Sequence, residues 1–182
     1  MTELNATAAS LLGFLHEGPA TGWDLVLKIE QSVGNFWNVT RSQVYRELKT
    51  LAHTGFVTTG ATGQRDRVPY AITKAGRAAF AEWIAREPGG GIMRLPVVLT
   101  VFFGKHVEPA LLQRYLQAER LRHQTQRDRY REMHPDVTEP FQRASLELGI
   151  EYEATMIRWL EGLPWIREKS EKRKPAPARR KR

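Results

Sequence analysis

Apolar residues recur along the N-terminal half of the chain at the three- and four-residue spacing of helices, and short breaks separate the runs. Leu4, Ala8, Leu11, Leu12 and Leu15 form a first stripe, which Gly18-Pro19 ends. Thr21 offers an N-cap, with Asp24 three residues on, for a second helix reaching about Val33. Its inner face uses Val26, Ile29 and Val33. Gly34-Asn35 breaks that helix, and Phe36-Trp37 is expected to form a packed aromatic connector. A third helix starts at Thr40, where Gln43 completes a capping-box pattern. Val44, Leu48, Leu51 and Ala52 line its buried stripe, and Gly55 follows as the residue that most readily takes a left-handed stop. Arg41, Ser42, Tyr45, Arg46 and Lys49 are left facing outward.

After Gly55 the period changes. Phe56-Val57-Thr58-Thr59 is short and β-branched, residues 60–63 are turn chemistry, and residues 67–72 form a second strand candidate. Two strands joined by a glycine-bearing loop read as a hairpin. Pro69 implies that at least one side of it is an edge. Thr73 caps a further helix, from Lys74 to about Arg86, with Ala75, Ala78, Ala79, Trp83 and Ile84 as its apolar positions. Three short helices, a hairpin and a helix make a winged helix-turn-helix.

Gly89-Gly90-Gly91 marks a hinge. Residues 92–103 form a compact apolar helix whose expected inner face is Leu95, Val98, Leu99, Phe102 and Phe103. A long polar helix follows from Pro109 to about Met133, nearly 40 Å at about 1.5 Å per residue. Its thin apolar seam is Leu112, Tyr115, Leu116, Leu121 and Tyr130. His134-Pro135-Asp136 breaks it, and a last helix runs from Glu139 or Pro140 to about residue 162, with Phe141, Leu146, Ile150, Ala154, Ile157 and Leu160 apolar. Such narrow stripes cannot be buried by one helix alone. The helices fold on one another or pair with a second chain.

The expected fold is therefore mostly α: a winged helix-turn-helix with a two-stranded wing over residues 1–88, then an α-helical dimerisation domain over 92–163. Residues 164–182 are charge-dense and proline-rich, and are expected to be a disordered basic tail.

Charge changes this picture less than its total implies. The 182 residues carry a net +8, but residues 163–182 alone hold nine Lys/Arg against two Asp/Glu, leaving a nearly neutral body. The absence of cysteine excludes disulfides and thiolate metal sites. Five histidines, His16, His53, His106, His123 and His134, show no metal-ligand spacing, and no nucleophile or phosphate-loop motif occurs. Neither an enzyme nor a cofactor or metal is expected. No apolar run approaches the roughly 20 residues needed to span a bilayer. The N-terminus lacks the basic start of a signal peptide. A cytoplasmic, nucleoid-associated protein with no membrane partner is the expectation.

A short helix face that is cationic, hydroxylated and aromatic suits the DNA major groove. The plainer alternative is an ordinary solvated surface; the helix-turn-helix before it and the cationic hairpin after it favour DNA. Arg41, Ser42, Gln43, Tyr45, Arg46 and Lys49 are the candidate groove residues, with Arg65 and Arg67 on the wing reaching the backbone. The rival reading from another class is a winged helix used for protein–protein contact, for which a neutral or acidic face would have been expected.

Three segments, LLGFLHEGPATGWDL, FWNVTRSQVYRELKTLAHTGFV and YAITKAGRAAF, occur in an order and spacing that resembles the PadR family of bacterial transcription regulators. Tyr45 and Leu48 match that family's recognition-helix pattern, and residues 72–76 match the end of its wing. The stretch around Leu148-Gly149-Ile150-Glu151-Tyr152-Glu153 is similar to the helical domain that accompanies one subgroup. The resemblance covers roughly residues 8–162 and implies a homodimer on double-stranded DNA, more often a repressor. It also implies a small aromatic effector, for which Trp83 and Trp23 are the candidate contacts; aromatics at helical spacing more commonly serve a core. Trp23 stands where the family usually has Tyr, and Arg46 where many members have Pro, so operator preference does not carry over.

Overall fold

The computed structural model describes residues 4–34, 36–61, 63, 67–91 and 93–166. The chain divides into two compact units, residues 1–91 and 92–182.

In the first unit, helix α1 (Ala6–Phe14) begins where the Asn5 side chain accepts from the Ala8 amide, and a single 3-10 turn, Leu15–Glu17, closes it. A two-residue strand β1 (Ala20–Thr21) leads into α2 (Gly22–Gln31). Helix α3 (Arg41–His53) follows, then β2 (Val57–Thr59), β3 (Pro69–Ile72) and α4 (Lys74–Ile84). The helix starts are set by local chemistry. Thr21 and Asp24, and Thr40 and Gln43, form complete capping boxes, and the Thr73 hydroxyl accepts from the Gly76 amide. Gly55, at φ +76°, stops α3: its amide bonds the Ala52 carbonyl at 3.2 Å while the Phe56 amide bonds the Leu51 carbonyl at 2.9 Å. These two bonds are a Schellman motif. Thr73 ties that stop to the start of α4 by donating its hydroxyl to the Gly55 carbonyl at 2.8 Å.

The wing is a sheet of three strands, in the order β1–β3–β2, where the hairpin alone predicts two. Strand β3 is central, pairing Ala20 with Tyr70 on one side and Val57 with Ile72 on the other, both antiparallel. Pro69 is tolerated because it is the first residue of that strand. One core holds the unit together: Leu11, Leu12 and Leu15 from α1, Leu25, Val26 and Ile29 from α2, and Val44, Leu48 and Leu51 from α3 are all buried. Phe80 is the α4 residue that packs against this core, while Ala75, Ala78 and Ile84 are exposed. Phe36 and Trp37 are also exposed, contrary to the expected packed connector; the stripes of α1–α3 already close the core without them.

In the second unit, α5 (Pro96–Phe102) is followed by a 3-10 turn, Gly104–His106, and by α6 (Pro109–Met133) and α7 (Pro140–Gly162). Helices α6 and α7 lie antiparallel: Leu112 and Leu116 pack with Leu160 at one end, His123 meets Glu153 midway, and Tyr130 lies against Gly149 at the other. The expected inner face of α5 is reversed. Val98, Leu99, Phe102 and Phe103 are exposed, Phe102 at 76%, while Val97 and Val101, one turn apart, face the small core. A helix apolar on every side has no period from which its inner face can be read. Tyr115, Leu121 and Phe141 are exposed as well, and His123, Gly149 and Glu153 occupy the interior of the pair.

No helix among the described residues is long and apolar enough to cross a membrane. The expected tail falls outside the described residues from 167 onward.

Candidate nucleic-acid interface

Helix α3 presents Arg41, Ser42, Tyr45, Arg46 and Lys49 outward, while Val44, Leu48 and Leu51 anchor it from behind. Glu47 is buried too, and the sequence pattern gives no warning of it. Its carboxylate accepts from Asn5 Nδ2 at 3.0 Å, and Asn5 Oδ1 caps α1, so one asparagine links the start of α1 to the middle of α3. Arg46 leans toward the same carboxylate at 3.4 Å. Gln43 is half-buried, and its Oε1 accepts from the Thr40 amide at 2.8 Å and the Thr40 hydroxyl at 3.0 Å. Its oxygen is engaged in fixing the helix start.

Two further side chains come from the first turn of α2. The Arg41 guanidinium lies over the Trp23 ring, 4.4 Å from its centroid. Tyr45 lays its ring against Gly22, where an added Cβ would stand 2.6 Å from Tyr45 Cε1. Asp24, beside them, is held below the usual carboxylate value of 3.8, first by the Thr21 hydroxyl, then by the Thr21 amide, with the charges of Arg67 and Lys28 adding to the effect. A carboxyl whose folded value is depressed stabilises the fold above its unfolded value and loses that contribution only as pH falls through the folded one. The α2 cap is therefore fully charged at neutral pH. Arg67 is exposed in the loop between β2 and β3, its carbonyl accepting from the Gly63 amide at 2.8 Å; Arg65 lies outside the described residues. Trp83 is half-buried near the end of α4.

The assembled surface is cationic and aromatic, rigid beneath, and two helix starts meet on it. Among the described residues no group of three His, Asp or Glu side chains is placed to hold a metal ion. Residues 11–82 match the family model of the PadR-like transcriptional regulators. The N-terminal unit carries a domain of this PadR-like family. That family is one of non-enzymatic transcriptional regulators. Residues 93–163 match a second model, described as the C-terminal part of virulence activator alpha.

The negative transcriptional regulator PadR of Bacillus subtilis is 32% identical over 81 residues, 43% of this chain and 44% of that protein. A probable transcriptional regulator of Mycobacterium tuberculosis is 34% identical over 90 residues, 45% of this chain and 48% of that one. The matched stretch thus spans under half the length of either curated relative. Among solved structures, Bacillus subtilis PadR in complex with operator DNA superposes with a TM-score of 0.72 at 21% identity, covering 87% of this chain and 96% of that one. The same protein in complex with p-coumaric acid gives 0.65 at 21%, covering 86% and 95%. The winged-helix fold with a C-terminal helical region is common to them.

Proposed function

We propose that this chain is a sequence-specific DNA-binding repressor that acts as a homodimer, with residues 1–88 as the reading head and 92–163 as the pairing domain. The observation that carries the reading is the outward face of α3, where Arg41, Ser42, Tyr45, Arg46 and Lys49 are all exposed on a helix anchored by a closed core. Cationic and hydroxylated side chains on such a face suit base edges and phosphates in a major groove. Gln43, engaged at the cap, would position the helix and lend DNA only its amide nitrogen. Arg65 and Arg67 would hold the wing to the backbone. The Bacillus subtilis relative named as a negative regulator, and its complex with operator DNA, support repression by promoter occupancy.

A gel shift of the full chain against its own promoter, or a genomic fragment pool, tests this. Arg41→Ala and Lys49→Ala should each weaken binding by about tenfold, within the 1–3 kcal/mol expected for a good base contact, without altering the helical signal. Absence of any salt-sensitive, sequence-selective complex would remove the reading and favour a protein-contact module instead.

Pairing is supported by α5, which has no buried residue and turns Val98, Leu99, Phe102 and Phe103 to solvent. Phe102→Glu should weaken the dimer at least roughly tenfold in light scattering, since burying a Phe side chain contributes about 1.5–3 kcal/mol. An unchanged dimer would place the interface elsewhere. Release by a small aromatic effector is supported by the p-coumaric acid complex of the Bacillus subtilis relative. Trp83 is the better contact here, because Trp23 already faces Arg41. No metal or cofactor enters this reading, and its setting is the cytoplasm, on the nucleoid.

A further inference from the structure

Trp23 and Arg41 are 18 positions apart, yet each occupies the first turn of its helix, and each helix start is locked by a complete capping box. The two boxes hold the pair in register. Trp23 is half-buried, so its ring is supported from below; Arg41 is exposed, so its guanidinium is open above. A guanidinium held over a ring face by its charge still has N–H donors free to meet a partner on its solvent side. A contact of this kind holds the guanidinium without a carboxylate partner, whereas the approach of Arg46 to Glu47 engages one of its own donors.

We propose that Trp23 is a positioning residue for DNA recognition: its ring is the platform that holds the Arg41 guanidinium ready for the groove. The inference rests on the reading that Arg41 contacts DNA, and deepens it by naming what aims that contact. It also gives this chain's Trp23 a task on the DNA side of the helix-turn-helix, away from effector binding. An arginine left free on a helix surface loses rotamer freedom when it binds a base or phosphate. One already stacked has lost part of it beforehand.

The test is a thermodynamic cycle on the full chain, with the DNA fragment on which the wild type forms its salt-sensitive complex as the probe. Trp23→Leu keeps an apolar body but removes the aromatic face, and should weaken binding roughly three- to tenfold, within the range of a cation–π contact between exposed and desolvated sites. Trp23→Phe should retain most of the affinity. In an Arg41→Ala background, Trp23→Leu should cost nothing further, with circular dichroism and dimer mass unchanged throughout. Arg41→Lys, which touches no core residue, gives an arm independent of how Trp23 variants fold: its compact ammonium cannot stack as a plane, and binding should fall by a similar factor.

Trp23→Leu binding like wild type while Arg41→Ala binds weakly would overturn the platform and leave the recognition face standing. Additive losses from Trp23→Leu and Arg41→Ala would overturn it too, because Trp23 would then act without Arg41. Wild-type affinity in Arg41→Lys counts against it in the same way. Wild-type affinity in Arg41→Ala would sink both the platform and the placing of Arg41 on DNA.

Discussion

His123→Ala is expected to lower the stability of the C-terminal unit by about 3 kcal/mol, the cost of removing one partner from an enclosed charge. The readout is the denaturant midpoint followed by the helical signal. His123 and Glu153 are each 1% exposed, on α6 and α7, and His123 Nδ1 pairs with the Glu153 carboxylate. The other ring nitrogen faces Arg122 Nη2 at 3.2 Å, with Glu119 at 3.8 Å. A guanidinium has only donors, so Nε2 accepts and Nδ1 carries the hydrogen that it donates to Glu153. Arg122 is itself held by Glu119, whose carboxyl that hydrogen bond keeps below its usual range. Cutting the ring away removes a donor from a carboxylate shut between two helices. A double change, His123→Leu with Glu153→Leu, should recover much of the loss, because no charge is then enclosed. A cost below about 1 kcal/mol for His123→Ala would mean the pair does not clamp the helices.

Gly76→Ala is expected to be nearly as damaging to the N-terminal unit. Gly76 lies in the first turn of α4, where a methyl group would overlap the Phe56 carbonyl oxygen and stand 3.0 Å from Ile72 Cγ1. The carbonyl cannot withdraw cheaply, because it accepts from the Thr73 amide at 3.0 Å and the Thr73 hydroxyl at 3.2 Å. Overpacking costs about 1–3 kcal/mol where side chains can adjust, and here the obstacle is backbone, so about 3 kcal/mol is expected. Melting should begin roughly 10 °C lower. A melt within about 2 °C of wild type would show that α4 can slide away from the β2 end of the sheet.

What was legible in the sequence was whatever is local. Thr21 with Asp24, Thr40 with Gln43, Thr73 and Gly55 each act within one helical turn, so the ends of α2, α3 and α4 could be read close to where they fall. The outward set on α3 was legible because Val44, Leu48 and Leu51 fix which way the helix faces. Strand β1 was not, since two residues carry no alternation. Nor was the inner face of α5, where all sides are apolar. The contacts that refine the candidate site join distant positions: Asn5 to Glu47, Trp23 to Arg41, Gly22 to Tyr45. His123 and Glu153 are 30 positions apart on helices that look solvated, and only the pairing of α6 with α7 turns them inward.

With the proposed pairing through the uncovered apolar side of α5, there would be a consequence for dose. A reading head that holds its operator only as one of a pair is governed by an association equilibrium. At low abundance the number of pairs rises with the square of the number of chains. A promoter under such control would stay open through small fluctuations and then shut over a narrow range of protein level. Residues of the C-terminal unit, Leu99 and Phe102 among them, would set where that range lies.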